Sequence, residues 1–164
     1  MNPKAIVAAS LLALASSSGQ SANTDWGPHG VLEAALGTTP GGLVAETFSF
    51  SLAETSQVSS ALNMIGSFSG ASYGLASVGL DGLLGTADDV ELARWAWSST
   101  PTVNTLALGV GHYYYTLSAT ALGATAYALS STAAPVPEPA TWAILAAGLG
   151  LTGLWCRRRV DRRK

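Results

Sequence analysis

The chain has 164 residues, with a charged fraction of 11% against roughly a quarter in soluble domains, which leaves room for one modest domain and two specialised ends. The formal net charge of −2 hides an asymmetry, because six of the eight basic residues occupy the last eight positions. Between residues 23 and 134 Arg94 is the only basic side chain, against Asp25, Glu33, Glu46, Glu54, Asp81, Asp88, Asp89 and Glu91; so acidic a middle repels phosphate backbones and argues against a nucleic-acid partner.

Taken in order, the chain begins with a short positive region at Lys4, a mostly apolar run from Ala5 to Ala15, and small residues from Ser16 to Ala22. That is the pattern of a secretory signal helix over residues 1–22, too short to span a bilayer, which takes about 20 apolar residues. Cleavage fits after Ala22 or nearer Gly19. The lone cysteine, Cys156, lies far downstream, so the exported part can hold neither a disulfide nor a thiol nucleophile.

From residue 23 to 130 the pattern predicts an all-β domain. Val44, Glu46, Phe48, Phe50 and Leu52 alternate with Ala45, Thr47, Ser49, Ser51 and Ala53, placing both phenylalanines on one face. Val58, Leu62 and Met64 continue the pattern. Glu91, Ala93, Trp95 and Trp97 alternate with Val90, Leu92 and Ala96, and Tyr113, Tyr115, Leu117 and Ala119 with His112, Tyr114, Thr116 and Ser118. Turn residues recur about every ten positions, at 38–42, 53–56, 66–70, 81–89, 98–101, 109–111 and 123, as in an antiparallel sandwich or jelly-roll of about seven or eight strands.

Candidate chemistry within this domain is sparse. Gly70-Ala71-Ser72-Tyr73-Gly74 has the spacing of a nucleophile elbow, and Asp88 and His112 follow in hydrolase order. That motif functions only on a strand-to-helix turn, and no helical pattern follows Ser72; in a chain with 18 glycines such matches arise by chance. The segment Asp81 to Glu91 holds four carboxylates, Asp81, Asp88, Asp89 and Glu91, and two glycines, a hard-oxygen set suited to Ca2+, though its spacing departs from an EF-hand. The competing reading is a solvated hairpin loop with Asp-Gly turn chemistry. His29 and His112 lack the companions a zinc site needs. The three tyrosines with Trp95 and Trp97 could stack on sugar rings, although alternation sends half of them to the core.

Small residues and prolines over 131–136 read as a linker, and residues 137–164 form the tail. Two prolines flank Glu138, and an uncharged run from Ala140 to Cys156 follows, 17 residues or about 26 Å as helix. Trp142 and Trp155 sit near its ends, where indoles favour the membrane interface, and Arg157, Arg158 and Arg159 open a basic cluster that stops transfer and keeps the C-terminal end cytoplasmic, with the β domain on the other, periplasmic side.

Val136-Pro137-Glu138-Pro139, the apolar span and the terminal arginines together resemble the PEP-CTERM sorting signal of Gram-negative bacteria. The resemblance implies recognition of Pro137, Glu138, Pro139, Arg157, Arg158 and Arg159 by an exosortase, a membrane-embedded processing enzyme. It also implies an inner-membrane intermediate on the way to the cell surface or matrix and a link to exopolysaccharide and biofilm; members of this class generally lack an assigned biochemical activity, and the chain is expected to be non-enzymatic. Val44-Ala45-Glu46-Thr47-Phe48 resembles the Phe-x-Asp-x-Phe box of one subgroup, with Val44 at its first Phe and Glu46 at its Asp.

Overall fold

A computed structural model describes residues 15–16, 22–97, 100–136, 144–147 and 149. The chain divides into two compact units, Met1–Ala134 and Pro135–Lys164. The first is a β-sandwich, the all-β fold expected. Its strands are β1 (Ala15–Ser16), β2 (Ala22–Pro28), β3 (Leu32–Thr39), β4 (Gly42–Leu52), β5 (Ser56–Ile65), β6 (Phe68–Ser77), β7 (Val90–Ala96), β8 (Val103–Leu108), β9 (Gly111–Ala121) and β10 (Thr125–Pro135).

One sheet has the order β1-β3-β10-β5-β8 and the other β2-β4-β9-β6-β7. From β3 to β6 the chain changes sheet at each turn, so consecutive strands belong to opposite sheets rather than pairing as hairpins. β10 runs antiparallel to β3, β9 to β4 and to β6, β8 to β5 and β7 to β6, whereas β1 on β3 and β2 on β4 are parallel. The phases expected for β4 and β9 hold. Phe48, Phe50, Tyr113, Tyr115 and Leu117 are all buried, and Phe50 stacks on Tyr113 with ring centroids 5.7 Å apart. Each such side chain contributes about 1.5–3 kcal/mol through burial.

Polar groups tie the two sheets together. The buried Tyr115 hydroxyl on β9 donates to Ser131 Oγ on β10 at 3.0 Å, and Ser131 donates to His29 Nε2 at 2.8 Å. His29 Nδ1–H then donates to the Gly30 carbonyl at 2.6 Å, a consistent direction for the neutral ring. Asn104 on β8 donates its side-chain amide to the Tyr73 hydroxyl on β6, again sheet to sheet.

Two boundaries differ from the sequence reading. Residues 131–135, expected in a linker, belong to β10, because Ser131 is completely buried and Thr132 keeps register with Leu32. Ala15–Ser16, expected within the signal helix, form the short strand β1; the remainder of residues 1–21 lies outside the described residues. In the second unit, residues 144–147 and 149 are helical. The rest of the expected span at 140–156, with Pro137, Glu138, Pro139 and the arginines, also lies outside the described residues. Among those described, no helix is long and apolar enough to cross a membrane.

Tyr127 on β10 lies flat across Gly37 on β3, its register partner, where an added Cβ would collide with the ring. Gly37→Ala is therefore expected to lower stability by about 1–3 kcal/mol, the usual cost of overpacking. Combined with Tyr127→Ala it should be far less costly than the two single losses summed, which a double-mutant cycle of thermal melts will read.

Candidate functional site

The distinctive surface lies on the outer face of the β2-β4-β9-β6-β7 sheet, where the segment between β6 and β7 folds back over the strands. Asp89 fastens it. Its Oδ1 accepts the Gly79 amide at 2.6 Å, and its Oδ2 accepts the Gly85 amide at 2.6 Å, the Thr86 amide at 3.1 Å and the Tyr114 hydroxyl at 2.7 Å. Gly82 and Gly85 take φ of 70° and 77°, left-handed turns that suit glycine. Tyr114 points away from the core yet is buried, because the loop covers it together with its register partner Ala76.

The expected metal set is only partly assembled. Carboxylate oxygens of Asp81, Asp88 and Asp89 lie within 4.8 Å of one another. Glu91 is not among them: it sits on β7, past the loop, and is held by Arg94 at 2.5 Å. The three that converge are already employed. Asp88 accepts the Thr86 hydroxyl at 2.6 Å and the Asp81 amide at 3.2 Å, and Asp81 accepts the Leu83 amide at 2.8 Å. Loop N–H and O–H donors thus hydrogen-bond all three carboxylates. The Tyr114 hydroxyl holds Asp89 below the usual carboxylate range and the Thr86 hydroxyl does the same for Asp88. Burial, reinforced by Asp89, pushes the Tyr114 phenol up to about 12.

The loop shapes two clefts. On the β2 and β4 side is one of about 690 Å³, lined by Asn23, Asp25, Ser49, Ser51, His112 and the loop glycines, among others. Asp25 Oδ1 accepts the Gly27 amide at 2.9 Å and the Ser49 hydroxyl at 3.0 Å, and these contacts, the amide first, lower its pKa. Among the described residues, the side chains of Asn23, Ser51 and His112 have no hydrogen-bond partner, so they are open to a ligand. On the β6 and β7 side is a smaller cleft of about 260 Å³ bordered by Thr86, Asp89, Glu91, Arg94 and Tyr114.

The remaining candidates weighed from the sequence come apart. Ser72 lies mid-strand in β6, opposite Ser118 on β9, while His112 is six residues further along β9, about 20 Å away. No serine–histidine pair forms between them. Trp97 is buried against Phe68 and Tyr127 and closed to a sugar, while the half-buried Trp95 packs on Tyr73 at 4.8 Å, so the two do not form a shared stacking face. Tyr113 and Tyr115 are core and Tyr114 is under the loop, so the tyrosines form no sugar-stacking platform. The 690 Å³ cleft was not legible beforehand, since Asn23, Asp25, Ser51 and His112 are scattered along the chain and no local motif joins them.

Comparison with known proteins bears mainly on the C-terminal end. A family model described as the PEP-CTERM protein-sorting motif matches residues 135–160. The chain carries a PEP-CTERM sorting motif. This motif implies export, a membrane-anchored sorting intermediate and processing by exosortase-type machinery. No curated protein matches the chain in sequence. Solved structures similar to it include the pre-peptidase C-terminal domain of a collagenase from Bacillus anthracis, 14% identical over 67% of this chain and 94% of that one, with a TM-score of 0.47. Another is a mutant of the periplasmic g-type lysozyme inhibitor of Escherichia coli, 18% identical over 71% of this chain and 99% of that one, with a TM-score of 0.34. Both likenesses are too loose to inform function.

Asp89→Asn should let one tyrosine titrate nearer its ordinary value, while burial keeps it above 10; absorbance during an alkaline titration will detect it. Because Asp88 and Asp89 have depressed pKa values in the fold, their stabilising effect is present above the unfolded carboxylate value near pH 4 and is lost as pH falls through the folded values. Amide exchange over residues 79–89 should therefore accelerate selectively on acidification, relative to β4 and β9 and after correction for intrinsic exchange.

Proposed function

We propose that the chain is an exported, non-enzymatic protein of the cell surface or extracellular matrix, linked to exopolysaccharide, whose β-sandwich is delivered by the C-terminal motif and released by processing. The sorting motif at 135–160 carries this reading. Two observations support it: Ser72 and His112, which share the chance elbow match, stand apart on β6 and β9, and the sandwich supplies a body suited to a structural or binding role. Prolines lack amide donors and favour extended backbone, so a Pro-Glu-Pro sequence is one a processing enzyme can grip as a strand, with Glu138 giving a basic pocket its charge to read. In the native host Glu138→Ala should leave the full-length precursor accumulating in the membrane fraction on immunoblots. Normal processing of that variant would remove Glu138 from the recognition step.

A second reading, polysaccharide binding, rests on the 690 Å³ cleft rather than on the tryptophans. Asn23, Ser51 and His112 present unengaged donors and acceptors beside the Asp25 carboxylate, the groups that hydrogen-bond vicinal hydroxyls. Retention on the host's own polysaccharide should fall at least several-fold in Asn23→Ala and His112→Ala with unchanged melting temperature. Trp97→Ala should instead destabilise the fold by about 3–5 kcal/mol. Undiminished retention in both cleft variants would refute binding there.

A further inference from the structure

The cleft of about 690 Å³ runs along an edge of its sheet. Edge strand β2 and the outward side chains of β4 and β9 line it on one side, and the segment from Val78 to Leu84 lines it on the other. Register sets its polar groups in a row. Asp25 pairs with Ser49; Asn23 pairs with Thr47, two residues before Ser49, and His112 pairs with Ser51, two residues after it. At about 3.3 Å per residue, the row from Asn23 to the Ser51–His112 pair is about 13 Å long, more than one sugar ring needs.

Asp25 supplies the charge of that row. Its Oδ1 accepts the Gly27 amide and the Ser49 hydroxyl, whereas its Oδ2 accepts no donor among the described residues. Those contacts, the amide first, lower its pKa, so the exposed carboxylate is an anion at neutral pH. Among the described residues no other carboxylate lines the cleft, and no lysine or arginine does. Arg94, the one basic side chain between residues 23 and 134, borders the smaller cleft instead and is held by Glu91.

We infer that this cleft takes a linear, uncharged polysaccharide and that Asp25 is the residue that turns acidic polysaccharides away. The inference rests on the polysaccharide-binding reading of the same cleft. Ring hydroxyls are donors, and a carboxylate oxygen without a partner accepts them in bonds roughly twice as strong as neutral ones. Asn23, Ser51 and His112 serve the hydroxyls of neighbouring rings, as donors or acceptors. A uronate, sulfate or phosphate group laid in the row meets an anion with no basic residue to offset it. A like charge so placed rejects the wrong ligand.

The test passes the full chain, in detergent, over the host's own polysaccharide, separated by anion exchange into neutral and acidic fractions and immobilised. A third column carries the acidic fraction after chemical reduction of its carboxyl groups. The expected result is several-fold stronger retention on the neutral fraction than on the acidic one, recovered on the reduced column. Asp25→Asn should raise retention on the acidic fraction several-fold with unchanged melting temperature. Glu54→Gln, which removes the same charge outside the cleft, should not. Wild-type retention as strong on the acidic as on the neutral fraction, lost from both in Asn23→Ala, would overturn charge selection while leaving polysaccharide binding at the cleft intact. An equal gain in Glu54→Gln would assign the exclusion to overall charge and overturn the role of Asp25. Retention on none of the columns would overturn the polysaccharide reading, and this inference with it.

Discussion

The hydroxyl of Tyr115 sets the terms on which this sandwich can close. The ring sits at the centre of β9 with no exposed surface, and a buried hydroxyl left without a partner costs roughly 1–3 kcal/mol. Ser131 answers it from the opposing sheet, and His29 in turn answers Ser131. That chain of donors fixes the depth of β10 against β9. It explains why β10 continues through small residues that otherwise resemble linker, and it gives the β2–β3 connection a reason to fold over the edge of the core. Burial pushes the Tyr115 phenol up, so the network keeps its neutral, donating form through the physiological range.

The outer face of the second sheet follows a related rule. A tyrosine on the solvent side of β9 needs cover, and the acidic loop supplies it, exchanging carboxylate acceptors for amide and phenol donors. Asp89 organises the loop through four such contacts, and its neighbours complete a set of Asx-type turns. The loop thereby becomes the wall of two clefts, so the same bonds that order the backbone also shape those clefts.

Much of the architecture was legible because Phe48, Phe50, Tyr113 and Tyr115 alternate cleanly with serines, threonines and a histidine, and because glycines, prolines and aspartates mark most turns. β3 and β10 were not legible. Leu32-Glu-Ala-Ala-Leu contains no strong strand former, and its extended form comes from pairing with β10 and from the ring of Tyr127 over Gly37. The tryptophans show the limit of patterning: alternation assigns them a shared face but does not say whether that face meets solvent or Phe68, Tyr73 and Tyr127.

By itself the sequence determined the address and the class of fold. A proline-flanked glutamate, an uncharged run and a terminal cluster of arginines are local features whose order along the chain carries the information, and period-two patterning is local as well. Only the tertiary structure decided what the acidic residues and polar side chains do. Whether Glu91 joins Asp81, Asp88 and Asp89 or pairs with Arg94, and whether Asn23, Ser51 and His112 share a cleft, depends on strand register and on where one loop lies. Both arise from contacts between residues far apart in the chain, and no spacing in the sequence encodes them.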